Sequence, residues 1–281
     1  MPPHFLFDQL GHHVSPHIQS LGHSILSTPP EVPSPQGPIF SEEQRPSDRI
    51  QKEGQPSSNV VLEPSTSQPL PLYLEATATN LPPGTGRLKL VGLGVRTVSF
   101  LRVRVYVAAF YCDENHLERL SVAGGPDASL EKKVKELADS GVTCALRIVP
   151  VRSTDFAHLR DGFVRALQAR LKLAIKSGSL ANESEASFSK GIQDLKSSFP
   201  KGSVPKGEAL DLVMTPALSA GQSHTRPLEL TFEFRGKVFG RVESGQDSFT
   251  VARELLLAYF SERGEISTPL KKSVEENIFK K

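Results

Sequence analysis

The chain has 281 residues, 38% of them hydrophobic and 23% charged, a composition typical of a globular protein with a buried core. Its 33 basic and 31 acidic residues give a net charge of +2 and are mixed along the chain, so no basic face indicates nucleic-acid binding. Two cysteines exclude a disulfide framework, and no run of about 18 apolar residues predicts a transmembrane segment.

Residues 1–70 are predicted to be a disordered, proline-rich segment, which leaves residues 71–281 for one folded domain. This segment holds 12 of the 22 prolines and five of the eight histidines, with little apolar periodicity. The histidines have no ordered spacing, so a metal site is not predicted there. The first basic residue is Arg45, and the N-terminus therefore has neither an Arg-rich presequence nor the basic start of a secretory leader.

After a PPGTG turn, the run LKLVGLGVRTVSFLRVRVYVAAFYC is rich in β-branched and aromatic residues and predicts two strands. If they form a hairpin that turns at Leu101, Arg96 and Tyr106 become cross-strand neighbours. Their guanidinium and phenol then converge as donors to a carboxylate, carbonyl or enolate oxygen. The turn sequence SFLR has no Gly, Asn or Pro, so Arg96 as a plain surface cation stays an open alternative.

The longest predicted element is a helix with Ser153 as its N-cap, running to about residue 176. Before it come helices near residues 114–120 and 130–137 and the strand CALRIVPV. Its apolar stripe has the three- and four-residue spacing of a buried face and consists of Phe156, Leu159, Phe163, Leu167, Leu171 and Ala174.

Arg160 lies at the edge of this apolar stripe, so we expect it to be partly buried beside a structural carboxylate or the acid group of a ligand. His158, Asp161 and Arg165 fall on the opposite face and are predicted to be solvated. His158 is therefore a poor candidate for an axial metal ligand.

The C-terminal part predicts a helix near 185–195, the strands ALDLVMT and LELTFEF, and a turn at Arg235 and Gly236 that leads into KVFGRV. Two helices follow, one over about 248–262 and one capped by Thr268. The class is α+β. The stretch GTGRLKLVGLG matches no nucleotide-binding loop, so its glycines are interpreted as turn and close-packing residues.

Three segments together resemble a chalcone isomerase domain, most closely its fungal mitochondrial branch, the altered-inheritance-of-mitochondria proteins. They are GLGVRTVSFLRVRVYVAAFY, STDFAHLRDGFVR and the stretch from FPKGSVPKG to GRV. The resemblance covers about residues 70–281. It implies an open-faced antiparallel sheet with helices packed on one face, a ligand cleft between the two, and a mitochondrial location.

The resemblance also implies roles for individual residues. Arg96 matches the strand arginine of plant chalcone isomerases, which helps to stabilise developing charge during ring closure. Tyr106 stands where those enzymes have a strand threonine, and Phe156 and Phe163 where they have a helix tyrosine and asparagine. An arginine and a tyrosine that face an apolar wall are similar to the fatty-acid-binding branch of the superfamily.

The predicted function is therefore non-catalytic binding of a fatty acid or similar amphipathic acid in an Arg-containing cleft. The ligand-binding residues are predicted to be Arg96, Tyr106, Phe156, Arg160 and Phe163, with no metal ligand and no certain cofactor. Alternatives are an active intramolecular lyase that depends on Arg96, a haem-binding protein that uses the same arginine, and a ligand-free interaction module.

Overall fold

The computed structural model describes residues 59–74, 81–98, 101–125, 127–217, 226–244 and 248–279. Residues 1–58, which make up most of the segment predicted to be disordered, lie outside the described residues. Eleven strands are present in the described chain: β1 Val60–Leu62, β2 Pro69–Pro71, β3 Tyr73–Leu74, β4 Leu88–Val98, β5 Val103–Asp113, β6 Cys144–Pro150, β7 Thr154–Asp155, β8 Ser203–Val204, β9 Leu210–Pro216, β10 Leu228–Phe234 and β11 Lys237–Val242.

Seven of these strands form one antiparallel sheet, in the order β11-β10-β9-β6-β5-β4-β3. The strands β1 and β2 pair separately as a hairpin, so regular structure begins inside the first 70 residues. Leu70 of this hairpin is buried against the sheet because its side chain joins an apolar cluster with strands β4 and β5. The boundary of the folded part therefore falls earlier in the chain than the composition predicts.

The described residues also form six α-helices: α1 Leu117–Val122, α2 Leu130–Asp139, α3 Phe156–Lys176, α4 Asn182–Ser198, α5 Val251–Phe260 and α6 Thr268–Phe279. All six contribute side chains to the main core, which lies on one face of the sheet. The opposite face carries a smaller cluster with residues from the N-terminal hairpin. This confirms the predicted α+β class and the open-faced sheet with helices on one face. No helix in the described part of the chain is long and apolar enough to cross a membrane.

Neither of the two predicted helix caps is the observed one. Ser153 does not cap α3, because Thr154 and Asp155 pair with β8 and the helix begins only at Phe156. At α6 the cap is Ser267 rather than Thr268, since the hydroxyl of Ser267 accepts the backbone N–H of Leu270 at 3.3 Å. The start of α3 is set by strand pairing with a segment distant in sequence, and the start of α6 by a serine hydroxyl one residue before the predicted cap.

The two glycines of β4 explain how α6 reaches the sheet. A Cβ atom on Gly94 would lie 2.3 Å from the backbone nitrogen of Leu270, and one on Gly92 would lie 2.6 Å from a methyl group of Val274. The absence of side chains thus lets α6 pack directly on the strand backbone. The interpretation of these glycines as close-packing residues is confirmed for Gly92 and Gly94.

Candidate functional site

The hairpin of β4 and β5 brings Arg96 and Tyr106 together. They are register partners, and the guanidinium carbon of Arg96 lies 5.8 Å from the centre of the Tyr106 ring. Arg102 has a positive φ of 51° at the turn, a conformation in which a non-glycine residue is uncommon. The predicted pairing is confirmed, although the turn sequence does not favour it.

Arg96 and Tyr106 line a pocket of about 230 Å³ between the sheet and α3. Three arginines and one histidine are among its lining residues, and no carboxylate is found among the described ones. The described lining therefore combines positive charge with apolar side chains. It is lined by Arg96, Val98, Val105, Tyr106, Arg152, Thr154, His158, Leu159, Gly162, Phe163, Arg165 and Ile266.

Arg96 is half-buried and has no carboxylate partner within the described residues. One of its N–H groups donates to the backbone carbonyl of Ile266 at 3.3 Å, which leaves further donors of the guanidinium available. The other buried or half-buried arginines that the structure describes each pair with a carboxylate, and they are Arg147, Arg160, Arg170 and Arg253. Arg96 thus differs from them in having no carboxylate partner in the described part of the chain.

Tyr106 is fully packed and shares a hydrogen bond of 2.9 Å with the hydroxyl of Tyr259 on α5. Burial raises the pKa of Tyr106 against the opposing effect of the Arg96 charge, and it raises the pKa of Tyr259 well above its ordinary value. Both phenols therefore stay neutral near physiological pH. Tyr259 was not predicted from the sequence, although a tyrosine in the apolar run of α5 needs a hydrogen-bond partner once buried.

The two phenylalanines of α3 have different surroundings. Phe163 lines the pocket, as predicted. Phe156 does not, because its ring packs edge-on against Phe199, Phe234 and Phe239, with ring centres 5.2 to 6.4 Å apart. The prediction of Phe156 as a ligand-binding residue is therefore not supported by its position, which is in the core.

Arg160 does not reach the pocket either. Its Nε–H donates to the neighbouring Asp161 at 2.9 Å, and its side chain is half-buried. The expected carboxylate partner is thus present, but it comes from the adjacent surface residue and not from a ligand.

His158 and Arg165 are exposed, as predicted for a solvated face, and they also line the rim of the pocket, which was not predicted. His158 lies at the rim with 76% of its side chain exposed, and Gly162 lies between the two positions on the same helix. Gly162 has open space where a Cβ would stand, so the helix surface is recessed there. Arg152, on the connection from β6 to β7, adds a further rim cation that the sequence pattern did not single out.

A larger groove of about 730 Å³ lies between α2, α3 and α5. Its two arginines are already neutralised, because Arg170 contacts Glu131 and Glu254 while Arg253 contacts Asp139 and Glu254. Both arginines of this groove thus have carboxylate partners within the protein and need no anionic ligand. The smaller pocket at Arg96 is therefore the better candidate site.

Comparison with known proteins gives consistent results. Residues 86–275 match the family model described as chalcone isomerase like. The altered inheritance of mitochondria protein 18, mitochondrial, of Debaryomyces hansenii is 27% identical over 245 residues, which cover 79% of this chain and 76% of that protein. The protein of the same name from Saccharomyces cerevisiae is 32% identical over 195 residues, or 59% of this chain and 57% of that protein. The expected mitochondrial location is confirmed by the names of these relatives.

Among solved structures, the chain is similar to a fatty-acid-binding protein of Arabidopsis thaliana. The TM-score is 0.52 with 18% sequence identity, and the match covers 78% of this chain and 97% of that one. At this level of identity the similarity establishes the fold.

Proposed function

This chain belongs to the chalcone isomerase-like family, and we propose that it is a mitochondrial binder of a fatty acid or similar amphipathic acid, without catalytic activity. The observation that carries the proposal is the half-buried guanidinium of Arg96, which has no carboxylate partner in the described chain. A guanidinium away from water requires a counter-charge or a set of acceptors. The carboxylate of a ligand supplies both.

The walls of the pocket support an amphipathic ligand. Val98, Val105, Leu159, Phe163 and Ile266 offer apolar contact next to the cation. The enclosed volume of about 230 Å³ lies below the roughly 300–1,000 Å³ usual for small-molecule sites, so it suits a head group and the first part of a chain. The fatty-acid-binding protein with the same fold adds a precedent for this ligand class.

The intramolecular lyase alternative finds less support. Ring closure requires removal of a proton from a substrate hydroxyl, for which a base near neutral pKa is suited. The pocket offers no carboxylate among its described lining residues, and burial raises the pKa of both Tyr106 and Tyr259, which keeps the phenols protonated. The imidazole of His158 lines the pocket as well, but it stands at the rim with 76% of its side chain exposed and not beside the buried phenols. Arg96 by itself serves to hold an anion.

The haem alternative stays a prediction. His158 supplies an imidazole at the rim of the same pocket as Arg96, and the arginines suit propionate groups. The volume of the pocket, however, lies below the range usual for small-molecule sites. It can therefore accommodate the propionate groups of haem more readily than the porphyrin ring. We therefore do not assign haem a role.

A binding titration of delipidated protein with octanoate and dodecanoate tests the proposal. The variant Arg96→Gln is expected to weaken binding at least about tenfold, because hydrogen bonds to charged groups contribute about 1.5–3 kcal/mol. Gly162→Leu should also weaken binding, since its side chain would enter the open space of the pocket without contacting the core.

The matched control is Arg119→Gln, which removes an exposed arginine on α1 outside the pocket and should leave affinity unchanged. Wild-type protein without affinity for either acid would refute the proposal. Equal binding by wild-type protein and Arg96→Gln would do the same.

A further inference from the structure

The pocket carries more positive charge than a single carboxylate can balance. Arg96, Arg152 and Arg165 all line it, and none of the three forms an ion pair with a carboxylate in the part of the chain that the structure describes. His158 adds an imidazole whose nearest carboxylate, on Asp155, is 3.6 Å away at an exposed position. A fatty acid contributes one negative charge, so at least two guanidinium groups would remain unbalanced.

These cations come from three separate parts of the fold. Arg96 is on β4, Arg152 is on the connection between β6 and β7, and Arg165 is on α3. The folded chain thus gathers like charges around one small cavity, although like charges repel and favour separation. A ligand with two or more negative charges would offset this repulsion.

The positions of the cations differ in depth. Arg96 is half-buried beside the Tyr106 ring, whereas Arg152 and Arg165 are exposed at the rim. One acid oxygen can therefore bind at the inner guanidinium while further oxygens of the same head group face the rim. Thr154 provides a hydroxyl at the same rim, which can donate to an anionic oxygen.

We propose that the pocket prefers an amphipathic ligand whose head group is a phosphate monoester, with Arg96 holding the inner oxygen and Arg152 and Arg165 selecting for the second charge. This inference rests on the proposed function, because it assumes that an acidic amphipath binds in this pocket. A phosphate monoester carries about −1.5 to −2 charges at pH 7 and three acceptor oxygens in a compact volume. Arginine matches such oxygens with paired N–H donors.

Four probes distinguish the contributions of head-group charge, head-group shape and the apolar tail to binding. Octyl phosphate, octyl sulfate and octanoate share the tail, while the sulfate keeps the tetrahedral shape with one charge. Inorganic phosphate has the head group alone. Titrations of the full chain at constant ionic strength are expected to rank octyl phosphate at least about tenfold above octanoate and octyl sulfate, and inorganic phosphate below all three.

The rim variants Arg152→Gln and Arg165→Gln should each lower the affinity for octyl phosphate roughly three- to tenfold, because each removes one cation that faces the second negative charge of the phosphate. Octanoate affinity should change by less than about twofold, since its single charge pairs with Arg96. Arg119→Gln on α1 serves as the control for loss of a distant exposed arginine. Because both rim residues are exposed, thermal unfolding of the variants should match the wild type.

Equal affinity for octyl phosphate and octanoate would overturn the inference and leave the binding of fatty acids standing. Rim variants that weaken both ligands alike would also overturn it, as would inorganic phosphate that binds as tightly as octyl phosphate. If the wild-type protein binds none of the octyl ligands, this inference fails, and the proposed function fails with it only if dodecanoate does not bind either.

Discussion

The hydroxyl groups of Tyr106 and Tyr259 lie 2.9 Å apart and join β5 to α5 across the main core. In Tyr106→Phe or Tyr259→Phe, the remaining hydroxyl is left in a buried site, so each single variant should lose about 1–3 kcal/mol of unfolding free energy. The double variant removes both polar groups and should be less destabilised than the sum of the two. Urea unfolding of the four proteins measures this coupling, and simple additivity would contradict it.

The same pair predicts a loss of stability at alkaline pH. Burial raises the pKa of both phenols in the folded protein, so the neutral forms are favoured there. An unfolded tyrosine ionises near pH 10, and the stabilisation is therefore complete below about pH 10 and is lost as pH rises toward the folded pKa. The unfolding free energy of the wild type should fall more steeply above about pH 10 than that of the double phenylalanine variant. An equal dependence of unfolding free energy on pH in the two proteins would contradict this prediction.

Gly94→Ala tests the contact between β4 and α6. The added Cβ would lie 2.3 Å from the nitrogen of Leu270 and 2.4 Å from the carbonyl carbon of Pro269, so the backbone of the helix must move. We expect a loss of about 2–3 kcal/mol in unfolding free energy. Gly162→Ala is the matched control, because its Cβ meets no atom and a helix gains about 0.5–1 kcal/mol from the change. A neutral Gly94→Ala would show that α6 does not rest on the strand backbone.

Glu254 holds two arginines together in the groove between α2, α3 and α5. Its side chain is 1% exposed, accepts from Arg170 at 2.7 Å and also contacts Arg253. Glu254→Gln removes the charge that both cations share and should cost about 3 kcal/mol, as expected when one partner of a buried ion pair is lost. Asp194→Asn, in the exposed pair with Lys190, should cost no more than about 0.5 kcal/mol. Chemical denaturation measures both losses of unfolding free energy. Similar values for the two variants would show that the buried pair contributes no more than the exposed one.

The two cysteines are cross-strand neighbours in the core, and their thiols should not react while the protein is folded. Burial raises the pKa of Cys144 to about 12 and that of Cys112 well above its ordinary value. Little thiolate is therefore present near neutral pH, and access is blocked. Both thiols should react with a thiol reagent only after unfolding. Rapid labelling under native conditions would contradict the buried placement.

The sequence alone was sufficient for the longer strands of the main sheet and for the pairing of Arg96 with Tyr106. Alternation along a strand and spacing along a helix are local properties of the chain, so they locate elements to within a few residues. Antiparallel strands joined by a short turn pair residues that are equally distant from it, which brings these two side chains together without information from elsewhere.

Only the tertiary structure decided which other residues join them. The way α3 packs on the sheet places Phe163, His158 and Arg165 at the pocket, whereas Phe156, one end of the same helix face, packs against phenylalanines of the later strands. Tyr259 lies 153 residues from its partner Tyr106, a separation that no local periodicity records. Side-chain packing between distant elements sets the helix orientation, and that orientation determines the chemistry of the site.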